Sequence, residues 1–485
     1  MPSEYSSTPI YLYNTEERRK TQLKPLEHNH VRMYTCGPTI YNFAHIGNFR
    51  TYVFEDLLRR TIKFFGLRIT QAMNLTDVDD KTIKGAIDKG ISLNAFTEPF
   101  KIAFFEDLHT LNIEKVEYYP AATDFIPQMI QMIEKLLEKG VAYTGGDGSI
   151  YFSIRQFPRY GCLSHLNLAD LKPGGSERVS NDEYDKDNIS DFVLWKKHDP
   201  QRDGNIFWES PFGPGRPGWH LECSAMAMQL LGDTLDIHVG GIDNMFPHHE
   251  NEIAQSEACS GKHFANIWMH SEHLIVDNKK MSKSLGNFFT LRDLLAKGFS
   301  GPQVRYMLLQ THYKTQLNFT FSGLEAVKES LQRLNGFIQR MYEVQTADSK
   351  GLVTPVLDKA LKDFSAALAD DLNISVALAA IFDMLREVNR LCDNGLVGTD
   401  EAQKVIDLMK RFNSVIGVLQ FEQNAEAIPK ELEEALEMRQ KARKDKNWAL
   451  ADSMRDFITQ RGYLMEDTPT GMRLKKKETS LNVTG

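Results

Sequence analysis

Cysteine is scarce in this chain. There are five in 485 residues (Cys36, Cys162, Cys223, Cys259 and Cys392), and no two form a C-x-x-C pair. An odd, scattered set excludes a disulfide framework and requires any metal site to be assembled from distant segments. No apolar run approaches the ~20 residues of a membrane helix, and Met1 to Lys20 is polar without a signal-like apolar core. No membrane association and a cytoplasmic location are therefore expected. Positive charge is not in surplus either: 57 basic against 65 acidic residues give −8. That balance excludes a polybasic binder while leaving room for a local basic face. No internal repeat stands out. What remains is 42% hydrophobic and 25% charged, the make-up of a globular chain of about three domains.

Val31 to Thr35 reads as a short strand ending in a Cys36-Gly37-Pro38-Thr39 turn. Apolar residues then recur with helical period from Phe49 to Phe65, Gly66 stops the helix, and Arg68 to Asn74 returns as a strand. This β-turn-α-β order opens a doubly wound, parallel, Rossmann-like sheet. A second such unit begins at Leu235, turns through Gly240-Gly241, enters a helix at Pro247 and returns at Ile267 to His270. Between the halves lie hairpin-like runs and a Gly/Ser/Asp/Asn-rich loop from Lys172 to Ser190, read as an insertion. After Phe299 the pattern turns helical, with few strand signals, and predicts a bundle. The expected division is 1–114 and 216–270 for the two halves of the sheet domain, 115–215 for the insertion and 271–330 for a region that holds a lysine-rich loop. A helical bundle over 331–425, a small C-terminal unit over 426–475 and a polar tail over 476–485 complete it.

Two elements suit anions. His45-Ile46-Gly47-Asn48 stands at the start of the first long helix, where unpaired N–H groups favour phosphate and Gly47 allows close approach. His45 and Asn48 can donate to phosphate oxygens, or simply cap the helix. Lys279-Lys280-Met281-Ser282-Lys283-Ser284 crowds three lysines into one loop. Such a loop is either a solvated basic turn or a clamp that closes on a polyphosphate. The run Lys280 to Ser284 is the KMSKS pentapeptide of class I aminoacyl-tRNA synthetases. His45 to Asn48 resembles their HIGH tetrapeptide, with Asn48 in place of the last His.

A third cluster follows Pro247. On a helix, His248 and Glu252 share a face at i, i+4, while His249 and Glu252 compete at i, i+3. Softer ligands would have to come from elsewhere, with Cys36 and Cys223 at hand, and the residues alone leave a zinc site and an inert buried cluster as alternatives.

The stretches Tyr34 to Gly47, Asn74 to Lys81, Asp191 to Lys196, Gly218 to Met226 and Ile237 to Ser256 resemble the cysteinyl-tRNA synthetase family, and the resemblance runs through essentially the whole chain. It implies one zinc ion per subunit on Cys36, Cys223, His248 and Glu252. It implies ATP, with Mg2+, at His45, Gly47, Asn48, Gly240, Gly241 and Lys283, and catalytic roles for His45, Asn48, Lys280 and Lys283. Thr76, Trp219, His238 and Asp243 are implied around L-cysteine. Between Glu431 and Lys477 there are 11 basic and 9 acidic residues, which suits RNA phosphate but equally a solvated helix face over a buried Trp. The resemblance implies tRNA(Cys) contacts at Arg443, Trp448, Asp452 and Asp467. The expected enzyme is a monomeric cysteine ligase acting on tRNA. A relative that acylates an amino sugar, or a zinc-containing RNA binder without catalysis, are the alternatives.

Overall fold

Strand β1 (His30–Thr35) feeds helix α1 (Ile46–Phe64), and the chain returns through β2 (Arg68–Met73). The computed structural model describes residues 8–165, 191–282, 284–346, 349–422, 429–468 and 471–476. Further along, helix α2 (Trp219–Leu231) precedes β3 (Leu235–Gly241), and helix α3 (Glu250–Ser260) leads into β4 (Ala265–Ser271). These strands form one parallel sheet in the order β4-β3-β1-β2. The sheet winds outward in both directions from β1 and β3, so their C-terminal ends, at Cys36 and Gly241, open onto the crevice where such sheets bind ligands. β3 is buried along nearly its whole length, as expected of a parallel strand covered on both faces.

Helix α1 begins three residues before the apolar repeat that announces it. The His45 ring accepts the Asn48 N–H (3.2 Å) and the Asn48 carboxamide accepts the His45 N–H (3.1 Å). This reciprocal cap satisfies donors a helix end otherwise leaves open. Further along α1, Asp56 is buried between Arg60 on the same helix (2.7 Å) and Arg305 (2.5 Å). Arg305 also donates to the Ile416 carbonyl at 2.7 Å, so one guanidinium ties α1 to the bundle.

The insertion forms an antiparallel sheet of Ala142–Thr144, Ile150–Phe152, Phe192–Lys197 and Gly215–Pro217. The last of these strands crosses the division expected at 215. The loop expected over Lys172 to Ser190 lies outside the described residues. Leu317–Phe319 is a strand, paired with Leu274–Val276, in a region read from sequence as helical; three residues are too few to carry a period. The bundle comprises Phe321–Tyr342, Val353–Ala369, Ile374–Asp393 and Thr399–Ile416, and its first helix runs through the boundary expected at 330. The C-terminal unit packs Lys430–Lys444 and Trp448–Gln460 with a hairpin, Tyr463–Thr468 and Gly471–Lys476. That second strand reaches Lys476, the first residue of the expected polar tail, and the rest of that tail lies outside the described residues. Among the described residues, no helix is long and apolar enough to cross a membrane.

Candidate active site and metal centre

The end of β1 passes against the end of β2 so closely that a Cβ on Gly37 would lie 1.8 Å from the Asn74 carbonyl oxygen. Only glycine fits, and this contact fixes the preceding Cys36. Cys223 comes from α2. The chain is kinked at Phe246, whose backbone is extended (φ −138°, ψ 133°), before His248, His249 and α3, where the sequence pattern starts a regular helix at Pro247. His248 and Glu252 nevertheless meet, Nε2 to Oε1, at 3.0 Å. Donor atoms of Cys36, Cys223, His248 and Glu252 all lie within 4.8 Å of one another, and all four residues are buried. An overlapping set, Cys36, His238, His249 and Glu252, meets the same limit. In it the Cys36 sulfur lies 3.2 Å from His249 Nε2, and His238 Nε2 lies 2.8 Å from Glu252 Oε2.

The electrostatics of this cluster call for a cation. Burial alone would raise the Cys223 thiol, but the hydrogen bond from Cys36 and the nearby His248 charge bring it down to about 6. Cys36 is held well above the thiol range by burial and by Cys223. Glu252, despite burial, is drawn down to about 2 by His238 and His248. His248, against its burial, is lifted to about 10 by Cys223 and Glu252. A buried thiolate and carboxylate thus favour a proton on His248. Two sulfurs, an imidazole and a carboxylate around a shared point make a fitting donor set for a borderline-soft metal ion.

Behind these donor atoms stand further histidines, of which His220 and His270 were not singled out by sequence reasoning. His220 Nδ1 lies 2.8 Å from His248 Nδ1. His249 Nδ1 meets His270 Nε2 at 2.8 Å, and His270 Nδ1 meets the Thr15 hydroxyl at 2.8 Å. Burial keeps His220, His249 and His270 neutral, with His270 lowered to about 3. A neutral His220 accepting the Nδ1 proton of His248 leaves His248 Nε2 facing the cluster. The available signal for His220 was its i, i+3 spacing to Cys223 on α2.

Thr76 is buried; its hydroxyl donates to Glu222 (3.1 Å) and accepts from Asn74 Nδ2 (3.1 Å). Asn74 Oδ1 in turn accepts the Gly37 N–H at 2.8 Å, linking Thr76 to the Cys36 turn. Trp219 stacks on His248, with ring centroids 4.3 Å apart, and stays partly exposed. Asp243 is exposed on the turn Ile242–Asn244 after β3. A Cβ on Gly240 would come 2.7 Å from the buried His249 ring, so close packing accounts for that glycine, whereas one on Gly241 would meet Asp243 Oδ1 at 2.5 Å, the end of an exposed side chain that can turn aside.

The two anion-suited elements lie side by side. The Ile46 N–H donates to the Phe289 carbonyl (3.0 Å), and His45 packs edge-on against Phe288 at 5.1 Å. The lysine loop is closed by Asn287, which accepts the Ser282 N–H (2.8 Å) and donates to the Lys280 carbonyl (3.1 Å). The Lys280 side chain is exposed; Lys283 lies outside the described residues. In the C-terminal unit Arg443 is exposed and Trp448 is 59% exposed, which rejects the buried-Trp alternative. Asp452 pairs with Arg455 at 3.2 Å, and Asp467 lies on the Tyr463–Thr468 strand.

Residues 22–329 match the family of class I (C) tRNA synthetase catalytic domains, and residues 363–420 match the DALR domain. The chain is 70% identical over 469 residues to a cysteine-tRNA ligase of Protochlamydia amoebophila, covering 97% of this chain and 98% of the relative. It is 55% identical to that of Chlamydia pneumoniae, covering 96% and 98%. In fold it is similar to methionyl-tRNA synthetase of Mycobacterium tuberculosis in complex with methionyl-adenylate, with a TM-score of 0.57 at 14% identity over 80% of this chain and 88% of that one. With a matched catalytic domain, a parallel sheet opening on paired anion elements and near-complete coverage of its relatives, the chain belongs to the cysteine-tRNA ligase family of class I tRNA synthetases.

Proposed function

We propose that the chain activates L-cysteine with ATP as cysteinyl-adenylate and transfers the cysteinyl group to the 3′ end of tRNA(Cys), working as a cytoplasmic monomer with Mg2+ accompanying ATP. The observation that carries this reading is the buried Cys36-Cys223-His248-Glu252 quartet at the open end of the parallel sheet, in a chain whose α1 N-terminus is bonded to the segment that follows the lysine loop. Those four side chains would hold one zinc ion per subunit, the second set of donors sharing only Cys36 and Glu252 with them. When bound, zinc supplies a preference for thiolate sulfur over a neutral hydroxyl. That preference matters because a pocket selecting by size separates such close substrates by only about 1–3 kcal/mol.

The remaining work falls to positioning and charge. Trp219 walls the cysteine pocket, His238 and Thr76 shape its floor, and Asp243 neutralises the substrate ammonium. The α1 N-terminus with His45, Gly47 and Asn48 receives ATP phosphate, and the Gly240-Gly241 turn lets the nucleotide approach the backbone. The cysteine carboxylate oxygen attacks the α-phosphorus and the bond to pyrophosphate breaks. Lys280 and Lys283 meet the negative charge that grows on the leaving group. The terminal ribose hydroxyl of tRNA then attacks the adenylate carbonyl, and AMP leaves. Arg443, Trp448, Asp452 and Asp467 contact the anticodon.

Cysteine-dependent ATP–pyrophosphate exchange, followed by charging of tRNA(Cys), tests the reading. Exchange driven equally by serine, or none at all, overturns it. Exchange without charging would point instead to a cysteine ligase with a different acceptor.

A further inference from the structure

Beyond the lysine loop the chain turns at once into a short helix, Leu291–Ala296. Thr290 and Asp293 cap that helix reciprocally. The Thr290 N–H and hydroxyl donate to Asp293 Oδ2 (2.8 and 2.7 Å), and the Asp293 N–H donates to the Thr290 hydroxyl (3.2 Å). So tight a cap makes the downstream foot of the loop stiff, and whatever holds the helix also holds the foot.

Arg292 holds it. Its guanidinium donates to Glu106 (2.7 Å) and to the Ala103 carbonyl (3.3 Å), and stands 3.4 Å from Asp107 Oδ1, all on the helix Leu93–Thr110. It also lies over the Phe43 ring at 5.3 Å, an attraction of cation to aromatic face. Phe43 stands two residues before His45 and packs edge-on against Phe100 of the same helix at 5.4 Å. One helix, outside every motif of the sequence, thus carries both anion-suited elements: the His45 turn through Phe43 and Phe100, and the lysine loop through Arg292.

The two carboxylates that meet Arg292 are not equivalent. Glu106 is 61% exposed and its pairing is screened by solvent, whereas Asp107 is 4% exposed. Among the described residues, Asp107 Oδ2 and Arg292 Nε are both buried without a hydrogen-bond partner. A two-bond pair, Nε to Oδ2 beside Nη2 to Oδ1, would satisfy both. The tie is therefore made on one side and open on the other, which leaves it room to tighten when the loop moves.

We propose that Arg292 is a positioning residue for adenylate formation: through Asp107 and Phe43 it fixes the foot of the lysine loop against the His45 turn, so that the loop's lysines reach the phosphates that the turn receives. The proposal rests on the ligase reading above. Its force comes from geometry, since a misplacement of about 1 Å can cost about a hundredfold in rate. Burial raises the Asp107 carboxyl to about 6, with Arg292 opposing and Glu106 assisting, and these are the charged groups that face it. The tie is thus ionic at neutral pH and loses its negative partner as pH falls through that value.

The test is cysteine-dependent ATP–pyrophosphate exchange by the full-length chain without tRNA, read against substrate concentration and pH. Arg292→Ala should lower kcat roughly tenfold to a hundredfold, with the KM for cysteine and the bound metal unchanged. Arg292→Lys, which keeps the charge without the planar fork, should recover part of that loss. Asp107→Asn should also lower kcat at neutral pH. The ratio of its kcat to the parent's should climb towards one as pH falls through about 6, because the parent then loses the same charge. A role confined to folding predicts instead a ratio that stays low at every pH, together with a raised KM for cysteine, and that outcome overturns the proposal. So does an unaltered kcat in Arg292→Ala. Absence of exchange in the parent chain tells against the ligase reading, and its presence with unmoved variants tells against the Arg292 tie alone.

Discussion

Cys223 is the cluster sulfur drawn down towards neutrality, so it is the residue whose oxygen analogue should be felt most. Cys223→Ser is expected to lower bound metal and cysteine-dependent exchange together, measured by elemental analysis and by exchange on the same preparation. Full exchange in a metal-free variant would refute the metal's role. His220 acts one bond further out, with its ring 2.8 Å from His248 Nδ1. His220→Ala should weaken metal binding about 10–100-fold, the usual effect of removing the partner that orients a ligating imidazole. Competition with a chelator checks this, and unaltered metal affinity would reduce His220 to packing. The clustering of Cys36, Cys223, His248 and Glu252 was legible in the sequence because their residue types are unusual together and sit in motifs that resemble a family. His220 and His270 were not, because a histidine on a buried helix or strand looks like any core residue until its partner's position is known. Asn74 was hidden for the same reason: its link between Gly37 and Thr76 depends on two strand ends lying side by side.

Helix α1 illustrates what patterning shows about an element and what it misses. Its apolar repeat was plain, and so was the glycine stop, but its first turn was set by the His45–Asn48 cap, where the residues singled out for phosphate hold each other. The kink at Phe246 before α3 and the strand Leu317–Phe319 escaped notice because each is shorter than the period that would betray it. Charge burial on α1 was likewise invisible, since Arg305 arrives from a distant helix. Burial alone would raise the Asp56 carboxyl, but Arg305, Arg60 and the Glu114 N–H outweigh it and hold it below the usual range. An acid depressed in the folded state contributes stability that is complete above its unfolded value, about 3.9, and is lost as pH falls through the folded value. Urea midpoints should therefore hold steady down to about pH 4 and then fall, with Asp56 contributing to the decline. Asp56→Asn should cost about 3–5 kcal/mol at neutral pH, as expected when one partner of a buried pair is removed, and should flatten that acid limb. A variant as stable as the parent at pH 7 would show the pair to be dispensable.

At the scale of the whole molecule, the buried apolar residues divide unevenly. One continuous core runs from Ile10 through α1 and the bundle to Leu419, and a second lies under α2, α3 and the insertion. The C-terminal unit has a separate core of Leu432, Ala435, Ile458, Tyr463 and Leu474. So few buried side chains give a small unit little margin against chain entropy, so it should unfold in its own transition, below that of the main body. Ligands stabilise only the state that binds them. If the exposed Trp448 stacks on a base, tRNA(Cys) should raise the lower transition, whereas cysteine with ATP should raise only the upper one, both read by scanning calorimetry. Trp448→Ala should abolish the shift of the lower transition and raise the KM for tRNA by roughly tenfold or more, since stacking is worth about 1–3 kcal/mol per base. Its exchange without tRNA should match the parent, because Trp448 is exposed on the C-terminal unit, whose core is separate from the one that holds Cys36 and Cys223. Equal losses in exchange and charging would mean instead that the substitution damages the fold, and a single transition unmoved by tRNA would mean that the small unit neither folds apart nor reads the RNA.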